Sequence, residues 1–138
     1  MYLISSNDAQ AELDGWDDHS FDCCITDPPY GMGMEHWDYS VPTVELWQEV
    51  YRTMKPGAFL LSFCSPQLYH RMAVAVEDAG FDIKDQIMWM VTTKMPKINR
   101  LKPAHEPIVM ARKGVNKHLN LDECRVGDLV QDTSTVSY

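Results

Sequence analysis

Phe21-Asp22-Cys23-Cys24-Ile25-Thr26-Asp27-Pro28-Pro29-Tyr30 is the stretch whose reading decides the fold. A run of strand-forming residues ends in a carboxylate, two prolines and an aromatic ring. Proline has no N–H to give to a ladder, so the strand stops at Asp27 and a stiff turn with unused backbone carbonyls follows. A carboxylate, a fixed carbonyl and a flat ring are thereby placed together at the carboxyl end of a strand, the edge at which open α/β sheets bind ligands. Adjacent Cys23 and Cys24 point to opposite faces of that strand and do not pair.

Such a corner suits the holding of a primary amine on a planar ring. An exocyclic amine conjugated to a nucleobase carries two N–H donors. Asp27 can accept one and the Pro28 carbonyl the other, which tilts the nitrogen lone pair out of the ring plane toward an electrophile. Tyr30 can stack on the ring, worth ~1–3 kcal/mol per base. Hydrogen bonds to a charged acceptor add ~1.5–3 kcal/mol. No side chain has to become a covalent nucleophile.

Around this corner the chain reads as alternating elements. Residues 2–5 are a short strand candidate. Asn7 or Asp8 can cap a helix over residues 9–13, which Gly15 ends. Pro42-Thr43 opens a helix through about residue 54, with Val44, Trp47, Val50, Tyr51 and Met54 at core spacing. Lys55-Pro56-Gly57 reads as a turn and 58–64 as a buried strand. Ser65-Pro66 starts the next helix, which Gly80 ends. Strands follow over 81–91 and 107–112. The fold class is therefore α/β, a mostly parallel sheet closing on an antiparallel hairpin. Between the last two strands lies a long loop, residues 92–106, of the kind that is functional or disordered. The glycine- and methionine-rich stretch 31–39 reads equally as a mobile lid or as a surface turn.

The 138 residues make one domain, able to bury about two-thirds of its unfolded surface. Hydrophobic content of 45% and charged content of 23% are ordinary for a globular chain. No apolar run is long enough to span a membrane, and no secretory signal opens the chain. Its four cysteines show no paired metal-ligand spacing, so no metal site is expected, and buried free thiols fit a reducing cytoplasm. Net charge is −8, which opposes nucleic-acid binding until it is mapped. Residues 1–91 carry −11, residues 92–120 carry +6 and residues 121–138 carry −3. The acidic total hides one basic segment, and phosphate affinity follows local charge.

Asp27-Pro28-Pro29-Tyr30 resembles the catalytic motif of S-adenosylmethionine-dependent DNA amino-methyltransferases, which act on adenine N6 or cytosine N4. The residues before it resemble the strand that precedes the motif in that family. Lys55-Pro56-Gly57-Ala58-Phe59-Leu60-Leu61 resembles the turn and strand that follow, and Lys102-Pro103-Ala104-His105-Glu106-Pro107 resembles a segment common in phage-type members. The resemblance implies a partial Rossmann-like methyltransferase fold. Residues 1–113 would be the catalytic subdomain and 114–138 a polar C-terminal extension. It implies Asp27, Pro28, Pro29 and Tyr30 as catalytic residues gripping a flipped adenine or cytosine, since the amine is paired inside a duplex. Asp8 and Asp27 would lie against S-adenosylmethionine, although Asp8 reads equally as a helix N-cap. Lys94, Lys97, Arg100, Lys102 and His105 would face DNA, with His105 orienting the loop. The family's glycine-rich cofactor loop has no counterpart among glycines 15, 31, 33, 57, 80, 114 and 127. The expectations are then a fragment, one half of a split enzyme completed by a second chain, or an inactive binding module. An open sheet edge would favour a homodimer.

Overall fold

The computed structural model describes residues 3–31, 33, 40–93, 95, 98, 99 and 101–114. Most of the lid stretch 31–39, the side chains of Lys94, Lys97 and Arg100, and the extension 115–138 lie outside the described residues. Along the chain run α1 (Ala9–Asp14), β1 (Phe21–Thr26), α2 (Val44–Thr53), β2 (Met54–Phe63), α3 (Tyr69–Asp78), β3 (Asp82–Met90) and β4 (His105–Arg112). The strands form one four-stranded sheet in the order β1-β2-β4-β3. β1 and β2 are parallel, and β4 is antiparallel to both of its neighbours. This is the α/β sheet closing on a hairpin that the sequence predicts.

The register explains which face is buried. Cys24, Leu60 and Ala111 share one row, and Thr26, Ser62 and Val109 another. On that face Ala58, Leu60, Val109 and Ala111 are sealed beneath Trp47 and Val50 of α2 and Met72, Ala75 and Val76 of α3. Each fully buried Leu, Val or Met of this cluster contributes ~1.5–3 kcal/mol. Trp47, Val50 and Thr53 are buried at helical spacing, which is why one side of α2 fits the sheet. Thr43 caps α2 by accepting the Leu46 N–H at 3.5 Å.

Arg52 then ties the helix layer together. Its guanidinium pairs with Asp18 at 2.7 Å and Glu49 at 2.8 Å, and it donates to the carbonyls of Trp16 at 2.9 Å and Leu13 at 3.0 Å. The segment between α1 and β1 is thereby held against the end of α2.

Five expectations are corrected. Leu3, Ile4 and Ser5 form no strand; Leu3 and Ile4 are exposed, because no ladder partner stands beside them among the described residues. Lys55-Pro56-Gly57 is no separate turn: β2 begins at Met54, and these residues bulge within it, since Phe21 pairs with Met54 while Cys23 pairs with Phe59. Gly57 takes φ +80 inside that bulge. Regular helix in α3 starts only at Tyr69, after turns over residues 66–68 in which the Leu68 N–H reaches the Ser65 carbonyl. His105 opens β4 opposite Met90 rather than sitting in the loop. The thiols are not uniformly buried: Cys64 is, Cys24 is half-buried and Cys23 is exposed.

Candidate functional site

β1 delivers its last paired residue, Thr26, beside Ser62 of β2, and the chain leaves the sheet at Asp27. From there the two prolines carry it to Tyr30, and the resulting corner has defined chemistry. The Tyr30 hydroxyl donates to Oδ1 of Asp27. Tyr30 is half-buried and packs against the core cluster, while Asp27 is exposed. Burial, then the hydrogen bond and negative charge of Asp27, then the charge of Glu106, push the Tyr30 phenol far above its ordinary range. Tyr30 is thus a fixed neutral donor at any physiological pH. One carboxylate oxygen of Asp27 is oriented by that donor, and the residue as a whole is exposed. No described cation forms an ion pair with Asp27.

A close return of the chain holds the corner in place. Gly31 follows Tyr30 at φ +70, and a Cβ there would come within 2.8 Å of Ser40 Cα and 2.9 Å of Val41 N. Only glycine admits this close return of the chain. Beside it lies an open cleft of about 260 Å³, whose walls include Asp8, Gln10, Pro29, Val41, Pro42 and Leu46.

Asp8 is the N-cap of α1. Its Oδ1 accepts the Gln10 N–H at 3.0 Å and the Ala11 N–H at 3.3 Å. The same residue borders the cleft together with Pro29.

The carboxyl edge also gathers residues that sequence reasoning missed. β3 runs in the same direction as β1 and β2, so its end and the start of β4 lie at this edge. Glu106 comes near enough to act on Tyr30. The Cys64 N–H donates to the Pro107 carbonyl at 3.0 Å, which joins the start of β4 to the end of β2. Trp89, opposite Glu106, meets Phe63 edge-on with ring centroids 6.1 Å apart. The signal for Glu106 was its place at the start of the last strand, which becomes legible only once that strand is known to run antiparallel.

Of the expected basic residues, Lys102 and His105 are described. Lys102 is exposed and donates from Nζ to the Thr92 carbonyl at 3.0 Å. Together with the Val91 N–H to Ala104 carbonyl bond at 2.8 Å, it closes the base of the loop between β3 and β4. His105 is half-buried. The structure does not bring either into contact with Asp27. No group of three or more metal-ligating side chains occurs among the described residues. No described helix is long and apolar enough to cross a membrane.

A family model described as DNA methylase matches residues 21–137. The type II methyltransferase M.HpaI of Haemophilus parainfluenzae is 30% identical over 135 residues, covering 90% of this chain and 43% of its own. M.SfiI of Streptomyces fimbriatus is 26% identical over 171 residues, covering 96% of this chain and 40% of its own. Among solved structures, M1.HpyAVI aligns with a TM-score of 0.63 at 26% identity, over 83% of this chain and 56% of its own. TTHA0409 of Thermus thermophilus aligns with a TM-score of 0.61 at 24% identity, over 86% and 57%, a likeness of fold. Both of these proteins are also known in complex with S-adenosylmethionine. The chain spans less than half the length of these curated relatives and a little over half that of the solved structures.

Proposed function

Because the chain belongs to the N6/N4 DNA methylase family, we propose that its corner at Asp27–Tyr30 holds the exocyclic amine of adenine or cytosine in DNA for methylation. The carrying observation is the Tyr30 hydroxyl bound to one Asp27 oxygen while the carboxylate stays exposed. A carboxylate fixed in this way accepts an amine N–H in a set direction, and the Pro28 carbonyl accepts the second. The nitrogen lone pair is then turned out of the base plane. Tyr30 offers its ring to the base and keeps its proton throughout. Asp27 stays an acceptor, and the proton released by the amine leaves after transfer. Pro28 and Pro29 prevent the corner from relaxing into the ladder.

S-Adenosylmethionine, when bound, supplies an electrophilic methyl group on a sulfonium. The residues present fit one side of it: the cleft borders the corner at Pro29 and presents the Asp8 carboxylate, an acceptor suited to the hydroxyls or amine of an adenosyl group. The opposite wall, a glycine-rich loop in the resemblance, must come from outside the 138 residues. Lys94, Lys97, Arg100, Lys102 and His105 form the DNA-facing segment, contacting phosphates rather than bases. Lys102 keeps exposed N–H donors for that purpose. The protein works in the cytoplasm of a bacterial host, itself or phage-encoded, with a second chain or a second copy beside it.

The missing glycine loop favours a second reading, a methyltransferase-like binding module that keeps the base pocket without turnover. Calorimetric titration with S-adenosylmethionine bears on the choice: binding by the chain supports the first reading and rules out the second, whereas no binding fits a fragment of the enzyme or the binding module. The role of Asp27 is tested by tritiated methyl transfer to DNA. Asp27→Ala is expected to abolish incorporation while leaving the melting curve unchanged, since the side chain is exposed. Retained incorporation in a folded Asp27→Ala protein rejects the assignment.

A further inference from the structure

We propose that the loop joining β3 to β4 carries an apolar wedge, Met95, Ile98 and Leu101, which enters the base stack of DNA at the gap left by the base held at Asp27. The inference rests on the DNA reading above and deepens it, by naming the residues that keep the base out of the duplex. Among the described residues Ile98 and Leu101 are the two most exposed large apolar side chains, at 91% and 92%, and Met95 is 76% exposed. Single exposed apolar side chains are ordinary, whereas several within one short loop mark a contact surface.

The order of residues in the loop says which kind of partner fits. Lys94-Met95-Pro96, Lys97-Ile98-Asn99 and Arg100-Leu101-Lys102 each set a cation directly before an aliphatic side chain. Lysine is depleted from protein–protein contact patches, so this alternation argues against a protein partner. Duplex DNA has the matching arrangement, with phosphates outside for the cations and an apolar slot between base pairs for the side chains. Leucine, isoleucine and methionine are among the residues that serve as wedges between base steps.

The fold sets this loop where a wedge is needed. β3 ends and β4 starts at the carboxyl edge of the sheet, the edge at which β1 delivers Asp27 and Tyr30. The bonds from Val91 N–H to the Ala104 carbonyl and from Lys102 Nζ to the Thr92 carbonyl close the base of the loop. Asn99 turns the chain directly after Ile98 at φ +60, a left-handed conformation that asparagine tolerates. Taking a base out of the duplex forfeits its stacking and leaves a hole. Aliphatic side chains that are bare on the protein gain burial by filling it.

The test needs no methyl donor and no recognition sequence, so its failure is separate from a failure of the methylation reading. The 138-residue chain is titrated by fluorescence anisotropy, at several salt concentrations, against a short intact duplex and the same duplex with one central tetrahydrofuran abasic residue. The gapped duplex is expected to bind at least about tenfold more tightly, because the gap removes the cost of unstacking. Ile98→Ser combined with Leu101→Ser should bring the two affinities within about twofold and leave the salt slope unchanged, since no phosphate contact is lost. Both positions are exposed, and an unchanged urea midpoint verifies the fold. Ile98→Met combined with Leu101→Met should keep the preference. Lys97→Ala should instead weaken both duplexes alike and lower the slope by about 0.9. Absence of a preference for the gapped duplex overturns the proposal, as does a preference that survives the serine pair or a serine pair that weakens both duplexes alike. Self-association of the chain that light scattering detects and the serine pair abolishes also overturns it, by giving the patch to a second copy.

Discussion

Lys113→Met is expected to remove a large part of the stability of this fold. Lys113 follows β4 and is only 7% exposed. Its ammonium donates to the carbonyls of Tyr51 at 2.5 Å, Met54 at 2.8 Å and Arg52 at 3.2 Å. It also lies 3.2 Å from His19 Nδ1 and 4.6 Å from the Tyr51 ring centroid. A lysine from the far end of the chain thus caps the carbonyl end of α2. Hydrogen bonds from a charged donor contribute ~1.5–3 kcal/mol each, and a cation at a helix C-terminus up to ~2 kcal/mol in partly buried geometry. Burial lowers the Lys113 pKa, a sign that desolvation offsets part of this gain. Methionine keeps the volume and removes the donors, leaving the Tyr51 carbonyl without its lysine. The net loss is ~2–4 kcal/mol, against a typical total of ~5–15 kcal/mol. With a urea slope of ~1–3 kcal/mol/M, the midpoint should fall by roughly 1–2 M. Urea titration followed by circular dichroism measures it. Lys55→Met serves as the control, since the Lys55 side chain is 41% exposed and its pair with Asp22 is a surface one, worth ~0–1 kcal/mol. A Lys113→Met midpoint within about 0.3 M of the parent, or no lower than that of the control, refutes the capping argument.

Two further outcomes follow from the site and the core. Gly31→Ala should cost at least ~2 kcal/mol in thermal unfolding, because it adds left-handed strain of ~1–2 kcal/mol to a clash with the Ser40–Val41 backbone; Gly33→Ala, at φ +66 with open space around it, should cost only the strain, and equal losses would discard the close-approach explanation. Stability should fall as pH rises above ~8.5, where unfolded thiols ionise, because burial pushes Cys24 up to about 11 and Cys64 up to about 12. The contribution of these neutral thiols is fully present below ~8.5 and is lost as pH climbs through those folded values, at up to about 1.4 kcal/mol per pH unit per thiol. Cys64→Ala should flatten the alkaline decline of the urea midpoint, and an unchanged slope would assign the decline elsewhere.

The sequence by itself determined whatever depends on local stereochemistry. Proline without an N–H ended β1 before Asp27, the apolar spacing of Trp47 and Val50 set the buried side of α2, and the glycine at position 80 stopped α3. The identity of the corner residues was legible for the same reason, since Asp27-Pro28-Pro29-Tyr30 is a contiguous motif. Tertiary structure alone decided what depends on residues distant in sequence. Leu3–Ser5 have strand-forming residues but no neighbouring strand among the described residues, and a ladder cannot form from one side. Lys55-Pro56-Gly57 have the composition of a turn, yet helix α2 runs straight into β2 and the surplus residues become a bulge. Glu106 reaches the Tyr30 corner, and Lys113 the end of α2, because β4 returns antiparallel between β2 and β3. The hairpin was legible, but no local pattern in the chain encodes the insertion of β4 between β2 and β3; that is fixed by which strand edges bury the most apolar surface against one another.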